Sequence, residues 1–394
     1  MKTKIENVRI FDGDAAVLEN SAVLFDESGI LAVGAAAAAA AADRTVDGTG
    51  KTLLPGLIDC HVHLGSLGAM DAPDDPMASA AVTAAEASSV WRWGMTTMRC
   101  LGNGDDADIR VRDLIRAGKI PGCRILASGR GIAITGGHGW QMSHECDTVD
   151  QVVTAARTQL KHGADVIKFL ATGGMATKGS NPNVAQLTEA QMRAGVEEAE
   201  AVGALTAAHC TSLEGARRAI LAGVRSIEHA RLDLPTAELM KEHGAYWVPT
   251  IITRYQILHT EDPALQYMRK KANPQDLVEK KRALNLCKTL GVPICCGTDA
   301  GFGTLAPLGK SIHTELAIYV EYGLTPMEAL RSACRTAAEM LRIDESTGTV
   351  AVGRQADLVL VGGDPLADIH DTEKVVRTYQ GGRLVYNAES GVCG

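Results

Sequence analysis

Leu54-Pro55-Gly56-Leu57-Ile58-Asp59-Cys60-His61-Val62-His63 is an apolar run of strand character that ends in His-x-His. Side chains alternate faces along a β-strand. His61 and His63 therefore project side by side at the strand's end, while Val62 turns into the opposite layer. Two imidazoles held this way supply part of a divalent-metal site, and the remaining ligands have to come from elsewhere in the chain.

Beyond His63 the pattern alternates between strand and helix. Helix-like stretches lie near 76–93, 106–117, 148–162, 188–202, 213–222, 235–242, 274–290 and 309–322. Short apolar strands separate them at 96–100, 123–128, 166–170, 204–208, 226–229, 246–250 and 293–296. With the strand of His61 this makes eight strands, most of them followed by a helix. Such alternation implies parallel strands with right-handed crossovers, and eight units close into a barrel. The predicted class is α/β, with a (β/α)8 TIM-type barrel over residues 54–344. A doubly wound open sheet is the alternative, but the chain has no Gly-x-Gly-x-x-Gly turn after its first strand.

Residues 1–53 alternate short β-like runs with turns, and 345–394 return to strands after a last helix near 326–341. The two ends are expected to combine into one small β-sandwich domain. The run Ala35 to Ala42 reads as a helical turn or a loop and carries no chemistry.

Composition narrows the function. The chain has 394 residues, 46% hydrophobic and 22% charged, which is globular and not disordered. A net charge of -8 without a basic cluster, and only 4% aromatic residues, argue against nucleic acid or an anionic membrane as the main partner. Of ten cysteines, Cys60, Cys100, Cys295 and Cys296 sit in apolar runs with no small-scaffold spacing, which suits buried, reduced thiols. No stretch is long and apolar enough to span a membrane, and the N-terminus lacks a charged-then-apolar leader. A cytoplasmic protein is expected.

In a barrel all strand C-termini open on one face, and that face carries the active site. Polar residues interrupt the apolar strand ends in order. His61 and His63 lie on the first strand and Lys168 on the fourth. His209 ends the fifth, His229 the sixth and Asp299 the eighth. Five strand ends converging on one face point to a metal site.

His-x-His after Pro-Gly-Leu-Ile-Asp, followed by Lys, His, His and Asp at those four strand ends, resembles the binuclear amidohydrolase superfamily. The run Gly348-Thr349-Val350 to Gly353-Arg354-Gln355-Ala356-Asp357-Leu358 is similar to that superfamily's returning sandwich strands, so the resemblance covers essentially the whole chain. It implies a metal-dependent hydrolase with two divalent ions, zinc foremost. In the resembling enzymes the strand-four lysine takes up carbon dioxide. Carried over, Lys168 becomes a carbamate bridging both metals, His61, His63 and Asp299 complete one site, and His209 and His229 the other. Asp299 then acts as the proton shuttle.

Thr135-Gly136-Gly137-His138-Gly139-Trp140 resembles the His-Gly loop of prolidase-like and imidazolonepropionase-like members, where that His contacts substrate. Thr172-Gly173-Gly174-Met175 resembles the same subgroup. Arg254, Tyr255 or Arg231 are candidates to bind a substrate carboxylate. The expected activity is a prolidase-like dipeptidase or carboxypeptidase that removes a C-terminal residue from a dipeptide or small-molecule substrate. The alternative is hydrolysis of a cyclic amide or an N-acyl amino acid, as in imidazolonepropionases or toxin amidases. A non-catalytic scaffold is a remote third reading, since relatives of that kind lose ligands and all six are present here. Barrels of this kind often associate, so a homo-oligomer is expected.

Overall fold

The computed structural model describes residues 1–66, 75–301 and 307–393. Its strands form three hydrogen-bonded sheets. Both chain ends build the largest, a nine-stranded sheet in which Thr3–Phe11 pairs antiparallel with Val17–Asp26 and parallel with Lys51–Pro55. Lys51–Pro55 in turn pairs antiparallel with Leu358–Gly362, which leads through Val375–Gln380 and Arg383–Asn387 to the last strand. Both chain ends thus enter one hydrogen-bonded ladder through Lys51–Pro55, which has a neighbour on each edge. The ladder curls back on itself, since Phe25 meets Tyr379 with ring centroids 4.9 Å apart and Arg383 pairs with Glu27 at 2.7 Å. Ile5, Ile10, Phe25, Leu53, Leu358 and Leu360 form its own apolar core.

The strand–helix region yields two parallel sheets. One is three-stranded: Leu57–Val62, Met95–Cys100 and Arg124–Ala127. The other is six-stranded, ordered Ser143–Glu145, Gly131–Ala133, Val166–Leu170, Leu205–His209, Ser226–Glu228 and Tyr246–Val248. Among the described residues no closed eight-stranded ladder forms, which departs from the sequence expectation. The eighth segment, 293–296, makes only isolated contacts. Trp247 N donates to Pro293 O and Cys295 N to Trp247 O, each at 2.9 Å. On its other side, Cys60 N donates to Cys296 O at 2.9 Å and His63 N to Ala300 O at 2.7 Å. Pro293 has no N–H to give a ladder, which is one reason the pairing is thin there.

The connecting helices begin where their sequences say they should. Thr148 opens Val149–His162 with a reciprocal capping box to Gln151, and Gly163 at φ 95° closes it. Val152, Ala155, Ala156 and Gln159 face the strands at helical spacing. Thr188 and Gln191 open Glu189–Glu200 in the same way. Among the described residues no helix is long and apolar enough to cross a membrane.

Where the eighth segment returns to the first strand, the approach is close. Gly301 has φ +117°, and a Cβ there would lie 1.7 Å from His63 O. Any side chain must therefore push this segment off the strand that carries both histidines. Gly301→Ala is expected to destabilise the protein by about 2 kcal/mol or more, from strain and overpacking together. Denaturant unfolding measures it; an unchanged midpoint would show that the two segments separate freely.

Candidate metal centre

His61 and His63 leave the end of Leu57–Val62 together, and their Nε2 atoms lie 3.3 Å apart. Asp299 Oδ1 is 3.2 Å from His61 Nε2 and 3.1 Å from His63 Nε2. The other ring nitrogens are committed. His61 Nδ1 donates to Glu228 Oε2 at 2.8 Å, and His63 Nδ1 to Gly102 O at 3.2 Å, because a carboxylate and a carbonyl can only accept. With Nδ1 committed, each ring turns its Nε2 toward one carboxylate oxygen. Three potential ligand atoms thus converge within 4.8 Å of one another, an arrangement one cation would hold together. The donor set fits a divalent metal, and it is the grouping of metal-binding side chains found among the described residues.

His209 and His229 continue the array. Ring centroids lie 4.7 Å apart between His61 and His229, 4.7 Å between His209 and His229, and 4.4 Å between His138 and His209. Thr250 Oγ1 donates to Pro249 O and so accepts from His229 Nδ1 at 2.6 Å, which leaves His229 Nε2 as a free lone pair. His209 Nε2 donates to Gly173 O at 3.2 Å, leaving Nδ1. Lys168 lies among them, only 2% exposed, and its amine has no ion-pair or hydrogen-bond partner among the described residues.

Strand alternation alone does not build this site. His229 follows Glu228 directly, yet both point inward, because His229 has φ 64°. Asp299 (φ 57°) and Thr250 (φ 45°) break the alternation in the same left-handed region. Three non-glycine residues at consecutive strand ends each carry roughly 1–3 kcal/mol of backbone strain.

Behind the ligand set lie residues that sequence reasoning did not assign. Arg99 is buried, donating from Nη2 to Glu228 Oε1 at 2.9 Å, from Nη1 to Ser226 Oγ at 2.8 Å and from Nε to Cys60 O at 2.6 Å. Asp59, in the Pro-Gly-Leu-Ile-Asp motif, accepts from His61 N at 3.1 Å and from Thr298 Oγ1 at 2.7 Å, tying the first strand to the turn that presents Asp299. Arg99 had a signal, as a lone charge in an apolar strand; Glu228, beside a candidate ligand, was masked by the expectation that strand neighbours face opposite layers.

Burial pushes the Lys168 amine down to about 8 against the opposing pull of the Glu228 and Asp299 carboxylates. Burial also lowers His63, takes His138 down to about 3, and holds His209 and His229 well below the usual imidazole range. Burial works against ionising Asp299, but His229 and His61 hold it well below the usual carboxylate range. For Glu228 burial is likewise overcome, by Arg99 and His61, to about 2. Neutral imidazoles and ionised carboxylates are the forms that bind metal.

One cavity exposes these groups. Its lining includes His61, His63, Lys168, His209, His229 and Asp299, with His138 and Arg254. His138 Nδ1 is held by Thr177 Oγ1 at 3.0 Å, and Gly174 leaves its ring room, since a Cβ there would sit 2.3 Å from Nε2. Arg254 was expected on a loop, but it lies on the helix Ile251–His259, whose first N–H groups, Ile251 N and Ile252 N, donate to Glu315 at 2.7 Å each. The same helix turns Tyr255 away: it is 46% exposed and stacks on His259 with centroids 4.3 Å apart. Arg231 lies in a separate groove, paired with Asp276 at 3.1 Å.

The model of the amidohydrolase family matches residues 52–385. An ochratoxinase from Aspergillus niger is 30% identical over 421 residues, covering 95% of this chain and 85% of that protein. An imidazolonepropionase from Rhizobium rhizogenes is 26% identical over 90% of both chains. Among solved structures, a Xaa-Pro dipeptidase with bound methionine in the active site aligns with a TM-score of 0.88 and 31% identity, covering 98% of this chain and 100% of that one.

Glu228→Gln keeps a hydrogen-bond acceptor for His61 but strips the buried Arg99 of its counter-charge. It is expected to weaken divalent-metal affinity about 10- to 100-fold. Calorimetric zinc titration of the apo-protein reads this directly, and wild-type affinity would reduce Glu228 to a packing residue.

Proposed function

Because the chain belongs to the amidohydrolase family, we propose that it is a binuclear metal-dependent hydrolase of amide bonds that removes a C-terminal residue, as a prolidase-like dipeptidase or carboxypeptidase does. One observation carries the reading: an unpaired, buried Lys168 amine lies within a ring of histidines and one carboxylate, with an arginine lining the same cavity. In this reading the two parallel sheets and the eighth segment are arcs of one (β/α)8 barrel over 54–344, and residues 1–53 and 345–394 form the second domain.

His61, His63 and Asp299 would hold one divalent ion, His209 and His229 a second, and Lys168 would bridge them as its carbamate. An amine brought to about 8 is partly neutral under ordinary conditions, and the neutral amine is the form that attacks carbon dioxide. Two such ions, zinc foremost for this mixed nitrogen and oxygen set, acidify water and polarise a carbonyl. The protein does the rest. Asp299 takes a proton from the attacking water and returns it to the departing amine. His138, fixed by Thr177, faces the same cavity and orients the substrate carbonyl. Arg254 accepts the substrate carboxylate. A second reading, hydrolysis of an N-acyl amino acid or a cyclic amide, is favoured by the likeness to ochratoxinase and imidazolonepropionase. It keeps the same machinery.

The deciding experiment is a hydrolysis screen of zinc-reconstituted, bicarbonate-treated protein on Xaa-Pro and other dipeptides, N-acyl amino acids and cyclic amides. Turnover confined to cyclic amides would overturn the C-terminal reading. Lys168→Ala should lose bound metal and activity together, with partial rescue by a small carboxylate such as acetate or propionate; a variant with full metal content and rate would remove the bridge. Asp299→Asn should keep much of its metal by elemental analysis yet lose about 10²- to 10⁴-fold in kcat, and near-normal turnover would exclude Asp299 as the shuttle.

A further inference from the structure

The cavity has a polar floor, but its walls are apolar. Leu101, Met142 and Leu170 line it beside His63 and His138, and Met175, Ile257 and Met268 line it as well. The latter three form a hydrophobic cluster of their own, separate from the main core, with Tyr267 and Ala176 packed against it. Three chain segments contribute: the turn after the Lys168 strand, the helix Ile251–His259, and the short helix Gln266–Arg269. Tyr267 Oη donates to Ala176 O at 2.6 Å, and Lys271 Nζ donates to Met175 O at 3.2 Å and Thr177 O at 2.8 Å. The wall is therefore anchored to the turn that also positions His138.

Arg254 and Ile257 stand three residues apart on one helix, so their side chains share a face about 5–6 Å apart at Cβ. A group held by Arg254 in the cavity therefore lies beside the apolar wall that Ile257 helps to build. Arg254 is also poised for another anion. Its side chain is 12% exposed, and Nη1 lies 3.3 Å from Asp276 Oδ2 yet makes no hydrogen bond. Asp276 is shared with Arg231, which also lies 3.7 Å from Glu279. Of the two lysines lining the cavity, Lys168 lies among the histidines and Lys280 is spent on backbone carbonyls: it donates to His229 O, to Pro249 O at 2.9 Å and to Ala230 O at 3.4 Å.

From this arrangement, and resting on the amide-hydrolase reading above, we propose that the released C-terminal residue carries a large apolar side chain such as that of methionine, leucine or phenylalanine, with Arg254 taking its carboxylate and Met175, Ile257 and Met268 its side chain. Two methionines in that wall, thioethers with three rotatable bonds, adapt to several apolar shapes. A pyrrolidine ring or a methyl group leaves the wall underfilled. A basic side chain meets Arg254, and an acidic one would bury its charge against an apolar wall.

The test uses zinc-loaded protein and one acyl group throughout: N-acetyl-methionine, -leucine, -phenylalanine, -alanine, -proline, -aspartate and -lysine. The expected result is a kcat/KM for the first three about tenfold or more above alanine and proline, and no measurable turnover of aspartate or lysine. Met268→Ala should lower the leucine-to-alanine ratio of kcat/KM about tenfold. Equal rates across the panel, or a preference for proline or a charged residue, would overturn the proposal and leave the amide-hydrolase reading standing. Thermal-shift binding of the free amino acids to the same wild-type protein separates the two. If no amide is turned over, that reading fails. A larger shift with methionine, leucine and phenylalanine than with alanine, aspartate and lysine would still support the pocket, and equal shifts would overturn it.

Discussion

A single buried carboxylate holds the site together. Glu228 receives His61 on one oxygen and Arg99 on the other, and Arg99 reaches back to the backbone of the first strand at Cys60. Three strands, Leu57–Val62, Met95–Cys100 and Ser226–Glu228, are thereby joined through charge in the interior. Isolated, neither Arg99 nor Glu228 would tolerate burial; breaking such a pair costs about 3–5 kcal/mol. The same bond fixes the tautomer of His61, so the constraint that stabilises the interior also decides which nitrogen lone pair is offered to a metal.

The rest of the rim is held by strain that this interior can bear. His229, Thr250 and Asp299 occupy left-handed backbone at the ends of three successive strand positions. Each turn redirects a side chain that alternation would have sent outward. The opposing restraints are specific: Lys280 binds the carbonyls of His229 and Pro249, Thr250 secures the His229 ring, and Asp59 grips the backbone and hydroxyl of Thr298. Rigid parallel strands carry these posts, while the apolar wall comes from the loops and short helices above them.

How far this could be read in the sequence depended on which physical rule was local. His61 and His63 were legible as a pair because alternation is a property of any strand, and Lys168 because an ammonium in an apolar run is conspicuous. The helices near 148–162 and 188–202 were legible from the alternation of strand and helix. Glu228 was hidden by the same alternation: next to His229 it should have faced the other layer, and no residue type there announces a positive φ. Arg254 and Tyr255 looked equivalent on a presumed loop; only the helix that Glu315 caps sends one into the cavity and the other to solvent. The apparent eighth strand was apolar enough to predict, but its proline gives the ladder too few donors. The two chain ends were recognisably β, yet pattern alone does not say which of their strands bond edge to edge.

That shared ladder reaches into the protein's synthesis. Lys51–Pro55 leaves the ribosome long before its partner Leu358–Gly362, and the Thr52 hydroxyl finds Gly363 O across 311 positions. Until then the edge of Lys51–Pro55 is unpaired and apolar, adjoining the strand that bears both histidines. Closure of so long a loop is slow and exposes that edge to other chains. A nascent chain in which these strands have not yet met keeps an open edge beside its candidate ligands, a template for pairing with other chains.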